Sequence, residues 1–332
     1  MTQSIMEQEA LQTASVVEHQ IRRNIDVVER LVSHLKHLDP TMVMLIGRGS
    51  SDHAGVFAKY LIEVELNIPT FAAAPSVSSV FKQQLRLKGA VAIIISQSGR
   101  SPDIISQAEM AKAGGAYCIA IVNDESSPLA ELVDAVIPIC AGEEQSVAAT
   151  KSFLGTLSAL VHLVSVWSDN RTLYNEFQRL PGALVNAAAD SVQLQPDDFA
   201  STTSLVVLGR GFGYAIAKEI ALKMKEVCCI QAEAFSSAEF SHGPITLVSR
   251  GLTVLNCNIM DESYQSHATQ VAEVKNRKAT VLELNAASKK THPRLLPLLV
   301  LQRFYIDVAR ISVSLGLNPD SPQGLKKVTE TL

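Results

Sequence analysis

The sequence can do chemistry in three places, and two of them are loops built from hydroxyl side chains. Ser96-Gln97-Ser98-Gly99-Arg100-Ser101-Pro102-Asp103 follows the apolar run Ala90 to Ile95. Pro102 suits the first position of a helix, with Ser101 as its N-cap. The start of a helix offers unpaired amides and the positive end of its dipole to an anion, and serine hydroxyls add neutral donors. Such a loop can hold a phosphate without a lysine cluster, although the same spacing also describes an ordinary capped strand-to-helix turn. Gly47-Arg48-Gly49-Ser50-Ser51 is a second loop of this kind, at the carboxyl end of another apolar strand, where ligands of open parallel sheets bind. It has no third glycine or acidic partner for a dinucleotide, and there is no Gly-Lys-Ser or Gly-Lys-Thr for a nucleoside triphosphate.

The third place lies in the second half. Ala221-Leu222-Lys223-Met224-Lys225-Glu226 closes a helical pattern, and Glu239-Phe240-Ser241-His242-Gly243-Pro244 follows. Lys223 and Glu226 are three apart and share a helix face. A carboxylate, an ammonium and an imidazole are what proton transfer on a sugar requires. A solvated surface pair and a loop histidine beside a turn-forming Gly-Pro satisfy the same spacing. The other seven histidines are scattered, without a His-x-x-x-His or mixed Cys/His cluster, so no metal is expected. Ser98 lacks the Gly-x-Ser-x-Gly surround of a hydrolase nucleophile.

These residues need a scaffold that brings strand ends to one edge. The apolar runs Met42 to Ile46, Ile68 to Ala73, Ala90 to Ile95, Ala116 to Val122 and Ala135 to Ile139 alternate with helical patterns such as Ala54, Phe57, Ala58, Leu61 and Ile62. Alternation of this kind predicts right-handed crossovers and a mostly parallel sheet covered on both sides. The second half repeats the theme, with strands at Leu205 to Leu208, Thr253 to Asn256 and Ala279 to Leu284 and a helix from Tyr214 to Glu226. Leu45-Ile46-Gly47-Arg48-Gly49 is echoed by Val207-Leu208-Gly209-Arg210-Gly211, at an offset of 211 minus 49, or 162, close to half of 332. Two copies of one unit follow: an N-terminal domain over 1–168 with a leading helix, a Pro-bearing linker over 169–198, and a C-terminal domain over 199–332.

Composition narrows the partners. The 332 residues leave room for two ordinary domains. Lys plus Arg number 29 against 33 Asp plus Glu, a formal charge of -4 with no long basic run, so neither nucleic acid nor an anionic membrane is an expected partner. Phe153 to Trp167 is the most apolar long stretch, but its length falls short of the roughly 20 residues that span a bilayer, and it reads as a buried core helix. Met1 to Ala10 lacks the order of a signal peptide, and Cys118, Cys140, Cys228, Cys229 and Cys257 have no metal-type spacing. A cytoplasmic protein with reduced, packing cysteines is expected.

Taken together, the segments resemble the sugar isomerase (SIS) family, in particular the isomerase part of glucosamine-6-phosphate synthase. The resemblance is carried by Gly49-Ser50-Ser51, Ser96-Gln97-Ser98-Gly99 with Ser101, Val147-Ala148-Ala149-Thr150-Lys151, Leu222 to Glu226, Ala232-Glu233-Ala234-Phe235, Glu239 to Pro244 and Leu325-Lys326-Lys327-Val328-Thr329, in family order over nearly the whole chain. It implies an α/β protein of two tandem SIS domains, each a flavodoxin-like, mostly parallel sheet flanked by helices. It further implies that Ser51, Ser96, Gln97, Ser98 and Ser101 bind a phosphosugar, with backbone contacts from Val147. Glu226 is then similar to the base that moves a proton between C1 and C2 of the open-chain sugar, with Lys223 beside it. His242 is similar to a ring-opening histidine that reaches the site from a neighbouring subunit, which implies a homodimer or larger homo-oligomer. Lys327, or its neighbour Lys326, resembles a tail lysine that assists at the C1 and C2 end.

Departures from the family pattern shape the expected activity. The chain begins Met1-Thr2-Gln3 and goes directly into the isomerase part, so the synthase's glutaminase half is expected to be missing. Ala149 stands where the synthase has a sugar-binding serine, and Gln231 where it has a histidine. The implied reaction is that of a glucosamine-6-phosphate deaminase, yielding fructose 6-phosphate and ammonia without a cofactor. The alternatives are a fructosamine-phosphate deglycase, a galactosamine-6-phosphate deaminase, a phosphosugar isomerase and a non-catalytic sugar-phosphate sensor. A sensor would keep the serine loops but has no need of Glu226, His242 and Lys327 together.

Overall fold

The computed structural model describes residues 3–286 and 290–327. In chain order its elements are α1 (Ile5–Leu11), α2 (Thr13–Leu38), β1 (Met42–Ile46), α3 (Ser50–Leu66), β2 (Thr70–Ala72), α4 (Ser76–Ser79), β3 (Ala90–Ser96), α5 (Pro102–Ala113), β4 (Tyr117–Val122), α6 (Pro128–Leu132), β5 (Ala135–Pro138), α7 (Lys151–Trp167) and α8 (Arg171–Gln178). There follow α9 (Leu180–Ala189), β6 (Ser204–Gly209), α10 (Phe212–Cys228), β7 (Gln231–Ser236), α11 (Ser237–Ser241), β8 (Thr253–Asn258), α12 (Tyr264–Asn276), β9 (Thr280–Asn285) and α13 (Leu296–Ser314). They form two compact units. The first holds residues 15–143 and 151–178 with Lys326 and Lys327, and the second holds residues 3–14, 144–150 and 179–325.

The first unit is built on a five-stranded sheet in the order β2-β1-β3-β4-β5, parallel throughout. Its central strand β3 reads Ala-Val-Ala-Ile-Ile-Ile-Ser and is buried along its whole length, as a parallel strand covered on both faces must be. One face packs Met44, Ile46, Ala92, Ile94 and Ala120 against Ile104 and Ala108 of α5 and Leu129 of α6. The helix α7 is buried over nearly all of its length, as the apolar run Phe153 to Trp167 leads one to expect. The chain leaves β1 toward β2 and returns on the other side of β1 at β3. The carboxyl ends of β1 and β3 therefore flank a topological switch point, and the two serine loops emerge there.

The second unit repeats this plan with the parallel order β7-β6-β8-β9. The duplication reaches individual torsion angles. α3 and α10 each have 17 residues, each preceded by a glycine of the same conformation: Gly49 at φ 55, ψ -126 and Gly211 at φ 53, ψ -125. Each ends on a left-handed residue, Asn67 at φ 57, ψ 26 and Cys229 at φ 54, ψ 26. The offsets 211 minus 49 and 229 minus 67 are both 162.

Three features differ from the sequence reading. Gln231–Ser236 is a strand at the sheet edge, although its mixed polar sequence gives no apolar run. Residues 169–198, read as a Pro-bearing linker, carry the helices α8 and α9, and the division between the units falls between Gln178 and Arg179. Residues 3–14, expected with the first domain, lie in the second unit, because α1 docks on α13: Arg310 pairs with Glu7 at 2.7 Å and Gln302 Nε2 donates to Ala10 O at 2.9 Å. Among the described residues no helix is long and apolar enough to cross a membrane.

Candidate functional site

In the first unit the two serine loops are shaped by glycines and tied together by an ion pair. Gly47 has no room for a side chain, since a Cβ there would lie 2.8 Å from the backbone of Ser51. Gly99, at φ 64, could not carry one either, because the Cβ would come within 2.2 Å of Ser127 Oγ. The amide of Gly99 donates to Ser96 Oγ at 3.1 Å, which closes the loop on itself. Arg48 Nε reaches Asp103 Oδ2 at 2.8 Å, so the loop after β1 and the first turn of α5 are held against each other. Ser101 occupies the N-cap position with Pro102 in the first turn, as expected, but its hydroxyl makes no cap bond. Asp103 Oδ1 takes the amide of Ile104 instead. Ser51, Ser96, Gln97, Ser98 and Ser101 thus come together on two adjacent loops around helix N-termini.

The matching loop of the second unit is closed. A Cβ on Gly49 would meet nothing within 4 Å, whereas one on Gly211 would lie 3.3 Å from Ser263 Oγ and 3.5 Å from Asp261 Oδ2. The Asp261 carboxylate and the Ser263 hydroxyl thus pack beside the start of α10. The two duplicated loops differ in what packs beside their glycines.

The candidate acid–base residues Lys223 and Glu226 lie on α10, and the repeat shows how unusual their setting is. Subtracting 162 maps Glu219 onto Phe57, Lys223 onto Leu61 and Glu226 onto Val64. Phe57 and Leu61 are fully buried core residues. Glu219 is 0% and Lys223 1% exposed, so the second copy buries ions where the first buries hydrocarbon. Lys223 Nζ donates to Glu226 Oε2 at 2.5 Å and lies 3.3 Å from Glu219 Oε1, and the Tyr305 hydroxyl donates to Glu219 Oε1 at 3.4 Å. Burial works against the ammonium, but Glu219 and Glu226 outweigh it and hold Lys223 above its ordinary value, hence protonated. Burial, then Glu219 and Glu144, push the Tyr305 phenol well up, so it stays neutral and keeps donating. A buried ion cluster is rarely more stabilising than a well-packed apolar one, so stability alone does not account for it.

Glu226 is the member of this cluster that meets open space. Its side chain is 17% exposed and lines a cavity of about 550 Å³ together with Lys225, Cys229, Asn318 and Gln323. The solvated surface pair allowed by the spacing is therefore not what forms. A carboxylate at a cavity wall, backed by a buried ammonium, can take a proton from a bound carbon acid and return it.

The remaining expected residues are placed as follows. Val147 lies in the second unit, with its amide donated to Asp320 O at 2.9 Å. His242 is an exposed C-cap residue of α11 and is not part of the lining of the Glu226 cavity. Lys327 is exposed at the end of the described chain, and Val328 and Thr329 of the tail motif lie outside the described residues. Sequence reasoning missed Glu219 and Tyr305. The offset of 162 could have found Glu219, a charge opposite Phe57, but nothing in the sequence marks Tyr305.

A family model described as SIS domain matches residues 39–166 and 198–291. The chain belongs to the SIS domain family. This SIS protein is 30% identical over 312 residues to the isomerizing glutamine–fructose-6-phosphate aminotransferase of Clostridium acetobutylicum, covering 86% of this chain and 51% of that one. The corresponding protein of Sulfolobus acidocaldarius is 30% identical over 317 residues, covering 92% and 52%. The chain thus spans about half the length of these curated relatives. Among solved structures, a provisionally assigned phosphosugar isomerase from Silicibacter pomeroyi DSS-3 superposes with a TM-score of 0.89 at 33% identity, covering 96% of this chain and 100% of that one. Glucosamine-6-phosphate deaminase from Thermotoga maritima shares the fold, with a TM-score of 0.79 at 22% identity and coverage of 99% and 100%.

Proposed function

We propose that this SIS protein is an aminosugar-phosphate deaminase that converts glucosamine 6-phosphate and water to fructose 6-phosphate and ammonia. The observation that carries the reading is Glu226 at its cavity, held by the buried Lys223. The names of its relatives, aminotransferases that act on fructose 6-phosphate, support an aminosugar phosphate as the substrate. Ser51, Ser96, Gln97, Ser98 and Ser101 hold the phosphate and the sugar, with Val147 contributing its backbone. His242, from a neighbouring subunit of a homodimer or larger assembly, opens the ring. Glu226 removes the C2 proton and delivers one to C1, which turns the aminoaldose into a ketose imine through an enolamine. Water adds to the imine carbon, and the C–N bond breaks to release ammonia. Lys223 stays protonated and offsets the charge of Glu226 before the proton arrives. The tail lysine, Lys327 or Lys326, acts at the C1 and C2 end.

Turnover in deuterated water tests this scheme. Deuterium is expected at C1 of the fructose 6-phosphate, and Glu226→Gln, which keeps the size but removes the base, should lower kcat by about 100- to 10,000-fold. Ammonia release at the wild-type rate by that variant defeats the mechanism. Galactosamine 6-phosphate and phosphorylated fructose-amine adducts, assayed alongside, decide the sugar. Tight binding of all these sugars without turnover identifies a sensor.

A further inference from the structure

The second unit contains a closed ring of hydrogen bonds in which the proposed chemistry uses only the Val147 backbone. Glu9 of α1 is 4% exposed, and its carboxylate accepts from Gln145 N, Ser146 N and Ser146 Oγ, at 2.5 to 3.1 Å. Three donors of one short loop thus converge on a single side chain. The other end of that loop is closed by Glu144, whose Oε1 accepts from Thr150 N at 2.8 Å. Between these anchors, Val147 donates its amide to Asp320 O at 2.9 Å. The Asp320 carboxylate in turn accepts from Ile5 N at 3.0 Å and Met6 N at 2.8 Å, the first turn of α1, where a negative charge is favoured by the helix dipole. The ring therefore runs from α1 to the 144–150 loop, to the segment around Asp320, and back to α1. The residues on either side of Asp320, Gly316 to Asn318 and Ser321 to Leu325, line the cavity at Glu226.

We infer that Glu9 and Asp320 are positioning residues that set the backbone at Val147 and the cavity wall opposite Glu226 for the sugar. The inference rests on the phosphosugar reading of this site. Because the Val147 amide is engaged by Asp320, contact with a sugar from this residue goes through its carbonyl, whose direction the ring determines. The carboxylate of Glu9 is suited to the task because it accepts only. An amide in its place would turn its NH2 group toward one of the two backbone N–H donors, since Gln145 N and Ser146 N bond different carboxylate oxygens. A purely structural role, anchoring α1, is separable from this one. Glu7, on the same helix, pairs with Arg310 at 2.7 and 3.0 Å and makes no hydrogen bond to the 144–150 loop.

The test compares Glu9→Gln, Asp320→Asn and Glu7→Gln with the wild type. Three quantities are read: the Kd of fructose 6-phosphate by calorimetry, KM and kcat on glucosamine 6-phosphate, and Tm. Glu9→Gln and Asp320→Asn should raise Kd and KM by about tenfold while kcat stays within about threefold, because Glu226 and Lys223 on α10 are untouched. Glu7→Gln should lower Tm to a similar extent and leave Kd and KM at wild-type values. If Glu9→Gln does not fold, Glu9→Asp, which keeps the charge on a shorter arm, should show the same rise in Kd to a lesser degree. Equal effects of the Glu7 and Glu9 variants on Kd, or no effect of the Glu9 variants, overturn the inference. A wild type that binds fructose 6-phosphate without turning over glucosamine 6-phosphate overturns the proposed reaction alone, and the Kd comparison still decides this one. A wild type that binds no sugar phosphate overturns both.

Discussion

Replacing Lys223 by methionine removes the buried ammonium that pairs with Glu219 and Glu226. Glu226 can relax toward its cavity, but Glu219 is fully enclosed and loses the ammonium 3.3 Å away, while the Tyr305 hydroxyl at 3.4 Å remains. Leaving a buried ion without its partner costs about 3–5 kcal/mol, a large part of the roughly 5–15 kcal/mol that holds a domain together. Binding a proton relieves that cost, so loss of the ammonium is expected to push the Glu219 carboxyl of the variant upward. The folded state then holds more protons than the unfolded one, and the variant loses stability as pH rises from the ordinary carboxylate range. Replacing Glu219 and Lys223 together by leucine copies the arrangement at Phe57 and Leu61 and removes both ions. What remains is an unpartnered Tyr305 hydroxyl, at about 1–3 kcal/mol, offset in part by apolar packing. The double variant should therefore be more stable than the single one, yet just as inactive. Urea unfolding at pH 5 and pH 8, with ammonia release measured in parallel, checks all three statements. A Lys223→Met protein with the wild-type midpoint, or a double variant that loses as much stability as the single one, refutes the reasoning.

Further outcomes follow from the same geometry. Ser98→Ala combined with Ser101→Ala removes two hydroxyl donors from the open loop and should raise KM for the phosphosugar, each donor being worth about 0.5–1.5 kcal/mol; an unchanged KM removes the loop from the phosphate site. Mixing inactive Glu226→Gln and inactive His242→Ala proteins under subunit exchange should restore activity in hybrid sites, and hybrids that stay dead despite exchange place the histidine's action within its own chain or nowhere. His162, 1% exposed and stacked on Phe177 at 5.0 Å with Nδ1 unpartnered, is pushed down to about 4 by burial. Its folded value lies below its unfolded one, so the stability it contributes is present above about pH 6.5 and lost as pH falls toward about 4. His162→Phe should flatten the acid limb of a Tm-against-pH curve, and an unchanged limb counts against the assignment.

Much of the scaffold is legible in the sequence because it rests on local signals. Parallel strands buried on both faces must be apolar runs, and Met42 to Ile46 is a strand with the boundaries its composition suggests. Pro102 after Ser101 opens α5, and Gly-Arg-Gly at an offset of 162 announces two copies of one strand–turn–helix. β7 escaped because an edge strand has less need of apolar residues, so Gln231 and Glu233 fit there without spoiling the pairing. The docking of α1 on the second unit escaped for another reason: Glu7 and Arg310 are far apart in the chain, and no local pattern links them.

For the site, the sequence by itself determined which side chains are present and which of them share a helix face, since the spacing of Lys223 and Glu226 follows from 3.6 residues per turn. It also determined that two similar loops exist. Only the tertiary structure decided that Gly49 opens to space while Gly211 is covered by Asp261 and Ser263, and that Glu219 and Lys223 are stripped of water. Loop access and desolvation are set by what packs from elsewhere in the chain, such as Tyr305, which reaches Glu219 across 86 residues of sequence. Helical periodicity cannot distinguish an exposed ion pair from a buried one; the neighbours that exclude water make that distinction, and with it the difference between a surface decoration and an acid–base site.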